Sequence, residues 1–192
     1  MSKNGCLSVV SAVGIGLALT LSQPTQIEDF QPKVVEDAIV RVTCDVAGGR
    51  SVGTASHVGN GVYTTADHVV DQGTCTVKGQ AIYNIKSDKV HDFATFAGPV
   101  LKDRVKFTCR NFRSGRHYLA VGYPGRLSFQ VMEAWNSTPF QLAGYRVFVG
   151  NGYPGMSGGP VLDKNGHMTG IVNMRWPTRS MPLRSTHLCD KD

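Results

Sequence analysis

Tyr153-Pro154-Gly155-Met156-Ser157-Gly158-Gly159-Pro160-Val161 sets a serine among glycines and follows it with a Pro-Val pair that can open a strand. Glycine lets the backbone reach positive φ and approach a ligand with no Cβ in the way. Two amide N–H groups turned toward one point, beside an accessible hydroxyl, would form a site for a developing oxyanion next to a nucleophile. A serine hydroxyl is a weak nucleophile, so that reading requires a base and a group that orients the base. Taken alone, the stretch serves equally well as a tight hairpin turn. The rest of the chain decides.

Downstream, Pro160 to Leu162 and Met168 to Met174 read as strands separated by an Asp163-Lys164-Asn165-Gly166 turn. Upstream, Val105 to Cys109, His117 to Val121, Leu127 to Trp135 and Gln141 to Val149 form a series of short apolar runs with turn residues between them. Further back, Ala38 to Cys44 alternates, with Val40, Val42 and Cys44 on one face and Arg41 and Thr43 on the other, the pattern of a half-buried strand. Arg50 to Val58 and Gly61 to Thr65 predict a hairpin turned at Gly59-Asn60-Gly61, followed by strands at Thr74 to Lys78, Ala81 to Lys86 and Asp92 to Ala97. That is about six strands per half, with no helix expected before the C-terminus. The class is all-β, of barrel or sandwich type.

The 192 residues suffice for one domain or two small lobes, and 41% apolar with 18% charged residues fits a folded globular chain. The net charge of +6 is spread out; its densest run is Arg110, Arg113 and Arg116 with Lys102, Arg104 and Lys106 nearby. No aromatic residues interleave with these in a nucleic-acid signature, so no specific nucleic-acid partner is expected.

Leu7 to Leu21 is a run of 15 residues without a charge. As a helix it would span about 22 Å, short of the roughly 30 Å hydrocarbon core, and its length suits the apolar region of an export signal. The expected organisation is a signal peptide or membrane anchor at 1–22, a linker at 23–35, an N-terminal β-barrel lobe at 36–98 and a C-terminal lobe at 99–192. The protein is then secreted or membrane-associated, with any membrane contact through residues 7–21. In an oxidising compartment Cys44, Cys75, Cys109 and Cys189 would support up to two disulfides, with three pairings open. No metal site is expected: His187 and Cys189 are close, but no Cys-x-x-Cys pair completes a tetrahedral set.

Thr64-Thr65-Ala66-Asp67-His68 ends a strand with a histidine, the side chain suited to take and return a proton near neutral pH. Five other histidines (His57, His91, His117, His167 and His187) show that a histidine alone proves little here. Asp92, in His91-Asp92-Phe93-Ala94, brings a carboxylate to the start of an apolar strand, where an unpaired charge would be costly. Asp67, Asp71 and Asp88 compete with it as turn residues or acids.

In chain order His68, Asp92 and Ser157 resemble the trypsin/chymotrypsin-like serine protease family. The resemblance rests on Thr65-Ala66-Asp67-His68, Asp92-Phe93-Ala94 and Gly155-Met156-Ser157-Gly158-Gly159-Pro160, with Gly170-Ile171-Val172-Asn173 like the strand that lines the family's substrate groove. It covers residues 36 to 176. It implies two six-stranded antiparallel β-barrels with the active site in the cleft between them, and a serine endopeptidase that works through an acyl-enzyme on a protein or peptide substrate. Ser157 would be the nucleophile, His68 the base, Asp92 the group that orients it, and the N–H groups of Gly155 and Ser157 the oxyanion hole. No cofactor or metal is implied. Spacings of 24 residues from His68 to Asp92 and 65 from Asp92 to Ser157 are compact, as in HtrA-type and viral members. By the same resemblance Asn151, Asn173 and Arg175 would contact the substrate, with no acid to select Lys or Arg. Met156 stands where trypsin-like zymogens carry an aspartate, so local packing is expected to order the serine loop. The alternative is a catalytically silent protein of the same fold that binds peptides in its cleft.

Overall fold

The computed structural model describes residues 34–108, 116–125, 127–142, 145–149, 152–173 and 180–184. The apolar run 7–21 and the segment 23–33 lie outside them, as do Cys109, Cys189, Asn151 and Arg175. Among the described residues no helix is long and apolar enough to cross a membrane.

The first half is a curled antiparallel sheet of β1 (Ile39–Val46), β2 (Gly49–Gly59), β3 (Val62–Thr65), β4 (Thr74–Val77), β5 (Gln80–Ala81), β6 (Tyr83–Asp88) and β7 (Phe93–Ala97), in the order β5-β4-β1-β2-β3-β7-β6. Alternation on β1 acts as its sequence implies: Val40, Val42 and Cys44 are buried, whereas Arg41 and Thr43 are half-buried. Asn60 and Gly61 turn the β2–β3 hairpin, both at positive φ (52° and 72°). Seven strands stand here where six were expected. Lys78 and Gly79 make a second two-residue turn at positive φ (49° and 76°), which folds the two residues of β5 back on β4 and splits them from β6. A short helix not foreseen from sequence, α1 (Asp67–Val70), follows β3, and a 3-10 turn (Glu36–Ala38) precedes β1.

The second half is a closed barrel of β8 (His117–Gly122), β9 (Gln130–Leu142), β10 (Tyr145–Val149), β11 (Pro160–Leu162), β12 (Met168–Val172) and β13 (Ser180–Arg184), in the order β10-β13-β12-β11-β8-β9. The strand expected at Val105 to Cys109 is instead an extended segment with one parallel bridge, Phe107 to Met168. It is held by Thr108 N–H to Met168 O at 2.9 Å and Met168 N–H to Lys106 O at 2.8 Å. β13, absent from the expected strands, pairs with both β10 and β12 and closes the barrel. The result is the chymotrypsin-like two-barrel fold.

One core crosses both halves, joining Val42, Tyr63 and Phe96 of the first sheet with Val105 of the extended segment and Leu119, Val121 and Ile171 of the second sheet. Tyr63 and Phe96 stack with centroids 5.1 Å apart. His57, fully buried beside them, donates from Nδ1 to Asp103 O at 2.6 Å and accepts from Gly61 N–H at Nε2 at 3.1 Å. Nδ1 therefore ties β2 to the segment between the halves, and Nε2 braces the β2–β3 turn. Cys44 and Cys75 face each other across β1 and β4 and form a disulfide, buried, closing a loop of sequence separation 31. Such a link restricts the unfolded chain by about 3–4 kcal/mol.

The Tyr63 hydroxyl donates to Pro99 O at 2.6 Å, and burial pushes its phenol up to about 12. An exposed tyrosine ionises near about 10, so the folded protein holds this proton more tightly than the unfolded chain. The stability this provides is full below about pH 10 and is lost as the pH rises toward 12. Urea midpoints at pH 9 and pH 11.5 should therefore fall less for Tyr63→Phe than for wild type, the difference being about 2 kcal/mol. Parallel declines would contradict it.

Candidate active site

β3 delivers the chain to the site through Thr64 and Thr65, both fully buried, and Ala66 in an extended conformation (φ −78°, ψ 143°). α1 then starts at Asp67 and carries His68, whose side chain is about one-third exposed. Asp92, in the β6–β7 turn, has φ 50°, a left-handed conformation that aspartate tolerates better than most residues. This turn sinks its carboxylate to full burial.

The carboxylate holds the histidine twice. Asp92 Oδ1 accepts the His68 backbone N–H at 2.9 Å, and Oδ2 accepts His68 Nδ1–H at 2.8 Å. With Nδ1 carrying the proton toward Asp92, Nε2 is left as the basic nitrogen. Of the rival acids, Asp88 is engaged elsewhere, whereas buried Asp67 leaves Oδ1 without a hydrogen-bond partner among the described residues. Asp88 makes the corresponding pair of bonds to its own neighbour, accepting His91 N–H at 3.0 Å and bonding His91 Nδ1 at 2.6 Å. Asp67 is buried at the start of α1, and Asp71 caps its end. His167 donates its N–H to Asp163 Oδ1 in the β11–β12 turn.

Ser157, 7% exposed, is brought to the same strand ends by the loop around it. Its carbonyl accepts Thr54 N–H at 2.8 Å, and Gly158 N–H donates to Val172 O at 2.7 Å. Gly158 has φ 83°, and a Cβ there would lie 2.1 Å from Thr65 Oγ1, 2.3 Å from Thr54 O and 2.8 Å from Ala66 N. The residue after the serine thus packs directly on the backbone two residues before His68. Among the described residues Ser157 Oγ makes no hydrogen bond to His68; such contacts are often long in a ligand-free site and tighten with substrate. Gly158→Ala should destabilise the fold by about 3 kcal/mol or more in urea unfolding, because both the φ and the backbone contacts forbid a methyl group. A change under about 1 kcal/mol would contradict the packing described.

The direction of two N–H groups follows from peptide planarity. Pro154 O accepts Gly125 N–H at 2.7 Å, so the N–H of the same peptide, that of Gly155, points the opposite way. Met156 O accepts Gly159 N–H at 2.9 Å, which likewise turns Ser157 N–H outward. Neither N–H donates to a backbone carbonyl among the described residues. Gly155 has φ 96°, and a Cβ there would lie 2.5 Å from both Gly125 N and Tyr123 O. Met156, fully buried, packs with Tyr118, Ala120, Val161 and Val172, and its N–H donates to Tyr153 O at 3.1 Å.

Of the three expected substrate contacts, only Asn173 lies within the described residues. It follows β12, is 2% exposed, and neither its Nδ2 nor its Oδ1 has a hydrogen-bond partner among the described residues. The concavity of about 370 Å³ beside β1 and β4, which includes Arg41, Thr43, Thr76, Lys78 and Tyr123, contains none of His68, Asp92 and Ser157. Sequence reasoning missed Thr54 and His57. A threonine or histidine inside an alternating strand carries no signal of its own, and only the flanking Gly53 and the short Thr54-Ala55-Ser56 side chains hint at a close approach.

No family model matches the chain, and no curated protein matches it by sequence. Solved structures do match. The active form of the Rv3671c protease from M. tuberculosis superposes with a TM-score of 0.67 at 20% identity, over 79% of this chain and 77% of that one. The serine endoprotease from Yersinia pestis gives 0.67 at 20%, over 78% of this chain and 58% of its own. The HtrA-type protease AlgW, solved with a tripeptide, gives 0.66 at 19%, over 79% and 57%. The chain has the trypsin-like serine protease fold.

Proposed function

We propose that this protein is a serine endopeptidase that cleaves peptide bonds through an acyl-enzyme. The observation that carries the reading is the buried Asp92 carboxylate bonded to both the backbone and Nδ1 of His68, at the strand ends where the Ser157 loop docks. His68 Nε2 takes the Ser157 hydroxyl proton as Oγ attacks the scissile carbonyl carbon. The Gly155 and Ser157 N–H groups receive the negative oxygen that forms. Collapse breaks the C–N bond, the proton passes from His68 to the leaving amine, and water repeats the sequence on the acyl ester. Asp92 keeps the imidazole in the required tautomer and stabilises its charged form. These steps need no metal.

The substrate class is supported by the fold and by AlgW, whose structure holds a tripeptide. The unpartnered carboxamide of Asn173 supports a groove contact that hydrogen-bonds to the substrate. The buried Cys44–Cys75 disulfide is a linkage that persists in oxidising compartments, and export through residues 1–22 would deliver the chain to one. The test is incubation of the full chain with a mixed peptide library, read by mass spectrometry. New internal termini that grow with time, and stop when a fluorophosphonate is added, are the expected result; an intact library would overturn the proposal.

A further inference from the structure

Thr54 lies in β2 of the first sheet, yet its hydroxyl and its backbone N–H are committed to the loops of the serine site. It is fully buried. Its hydroxyl donates to Gly155 O at 2.7 Å and accepts Tyr123 N–H at 3.0 Å. Its backbone N–H donates to Ser157 O at 2.8 Å, and its carbonyl accepts Thr65 Oγ1 at 2.8 Å. One residue therefore touches the loop that carries Ser157, the segment 123–125 that braces that loop, and the strand that leads into His68.

The peptide between Gly155 and Met156 sits between the two outward N–H groups. It is held at one end by Thr54 Oγ1 on Gly155 O and at the other by Met156 N–H on Tyr153 O at 3.1 Å. The brace is itself rigid: Tyr123 is fixed by its N–H to Thr54 and by its hydroxyl to Ile39 O at 3.0 Å, and its ring packs edge-on to Phe129. Gly125 of the same segment holds Pro154 O. The Gly155 N–H is thus aimed jointly by the Gly125 bond to Pro154 O and by a Thr54 hydroxyl lodged between the two loops.

We propose that Thr54 is a positioning residue for oxyanion stabilisation, setting the direction of the Gly155 and Ser157 N–H groups through its hydroxyl; this rests on the serine endopeptidase reading. Without the hydroxyl, Gly155 O and Tyr123 N–H lose their partner together, and the peptide between the two N–H groups keeps only its Met156 N–H anchor. The N–H groups then no longer converge where charge develops, a loss felt in the transition state and not in ground-state binding. Misplacement of this kind costs about a hundredfold in rate.

The experiment compares wild type, Thr54→Val and Thr54→Ser in their inactivation by a fluorophosphonate, which requires no knowledge of the natural substrate. Thr54→Val keeps the shape and removes the hydroxyl; its maximal inactivation rate should fall about a hundredfold, with the half-saturating concentration within about threefold of wild type. Thr54→Ser keeps the hydroxyl and should stay within about fivefold in rate. Equal rates for Thr54→Val and wild type would overturn the proposal, as would a Ser variant as slow as the Val variant, or a change confined to half-saturation. Thr54→Ala replaces the Val variant if that does not fold, and if neither folds the hydroxyl serves stability and the positioning role is overturned. A wild type that takes no label overturns the endopeptidase reading itself, whereas labelled wild type with an unimpaired Val variant removes only the role of Thr54.

Discussion

Ser157→Ala is expected to lower peptide hydrolysis by more than about a thousandfold while leaving the urea midpoint within about 0.5 kcal/mol of wild type. The rate effect is large because nucleophile and base act as a unit: with Oγ gone, His68 has no proton to take and no acyl-enzyme forms. The stability effect is small because the loop is held by other groups. Its anchors are the Ser157 carbonyl on Thr54 N–H, Gly158 N–H on Val172 O, and the buried Met156. All survive removal of the hydroxyl. Retained turnover in a clean preparation would remove Ser157 as the nucleophile.

Asp92→Asn should also be severely damaging, lowering kcat by about 10⁴-fold. Asparagine fits the site sterically and tolerates the φ of 50°, so the fold should persist. The chemistry does not persist. Asp92 accepts two hydrogen bonds from His68, one on each oxygen, and an amide offers only one accepting oxygen. If its NH₂ faces the ring, Nδ1 must accept and the imidazole proton moves to Nε2, where a base is required. Asp88→Asn is the comparison. Asp88 bonds His91 in a similar geometry at the start of the same β6–β7 turn, so its loss should change kcat by less than about fivefold. An Asp88 variant more crippled than the Asp92 variant would reverse the assignment of the acid.

β1 and β7 were legible because each buries one face, and alternation such as Val40, Val42 and Cys44 survives into the structure. The hairpin at Asn60 and Gly61 was legible because positive φ at two consecutive positions has a strong residue preference. β5 was hidden because two residues are too few to show a period. β13 was hidden for a different reason: Ser-Met-Pro-Leu-Arg lacks alternation, and Pro182 cannot donate to a ladder. Its strand character comes from pairing on both sides when the barrel closes, which is a tertiary effect. α1 is four residues long and sits against the first sheet, so no helical periodicity could announce it.

At the candidate site, the glycines around Ser157 were informative because their positive φ and absent side chains are written in residue type. The bonds between His68 and Asp92, 24 residues apart, were within reach only through the motif order, since sequence alone left Asp67, Asp71 and Asp88 as rivals. Thr54 was beyond reach. Its place between loops 101 and 69 residues further along depends on how the two halves meet, and nothing local records that.

The central claim is that Ser157 is an activated nucleophile, and covalent mapping tests it most directly. The full chain, with its Cys44–Cys75 disulfide intact, is reacted with a biotinylated fluorophosphonate, digested and sequenced by mass spectrometry. The account predicts one adduct, on Ser157, formed by wild type and absent from the folded His68→Ala variant. A folded wild type that takes no label, or one labelled at another residue, would contradict it.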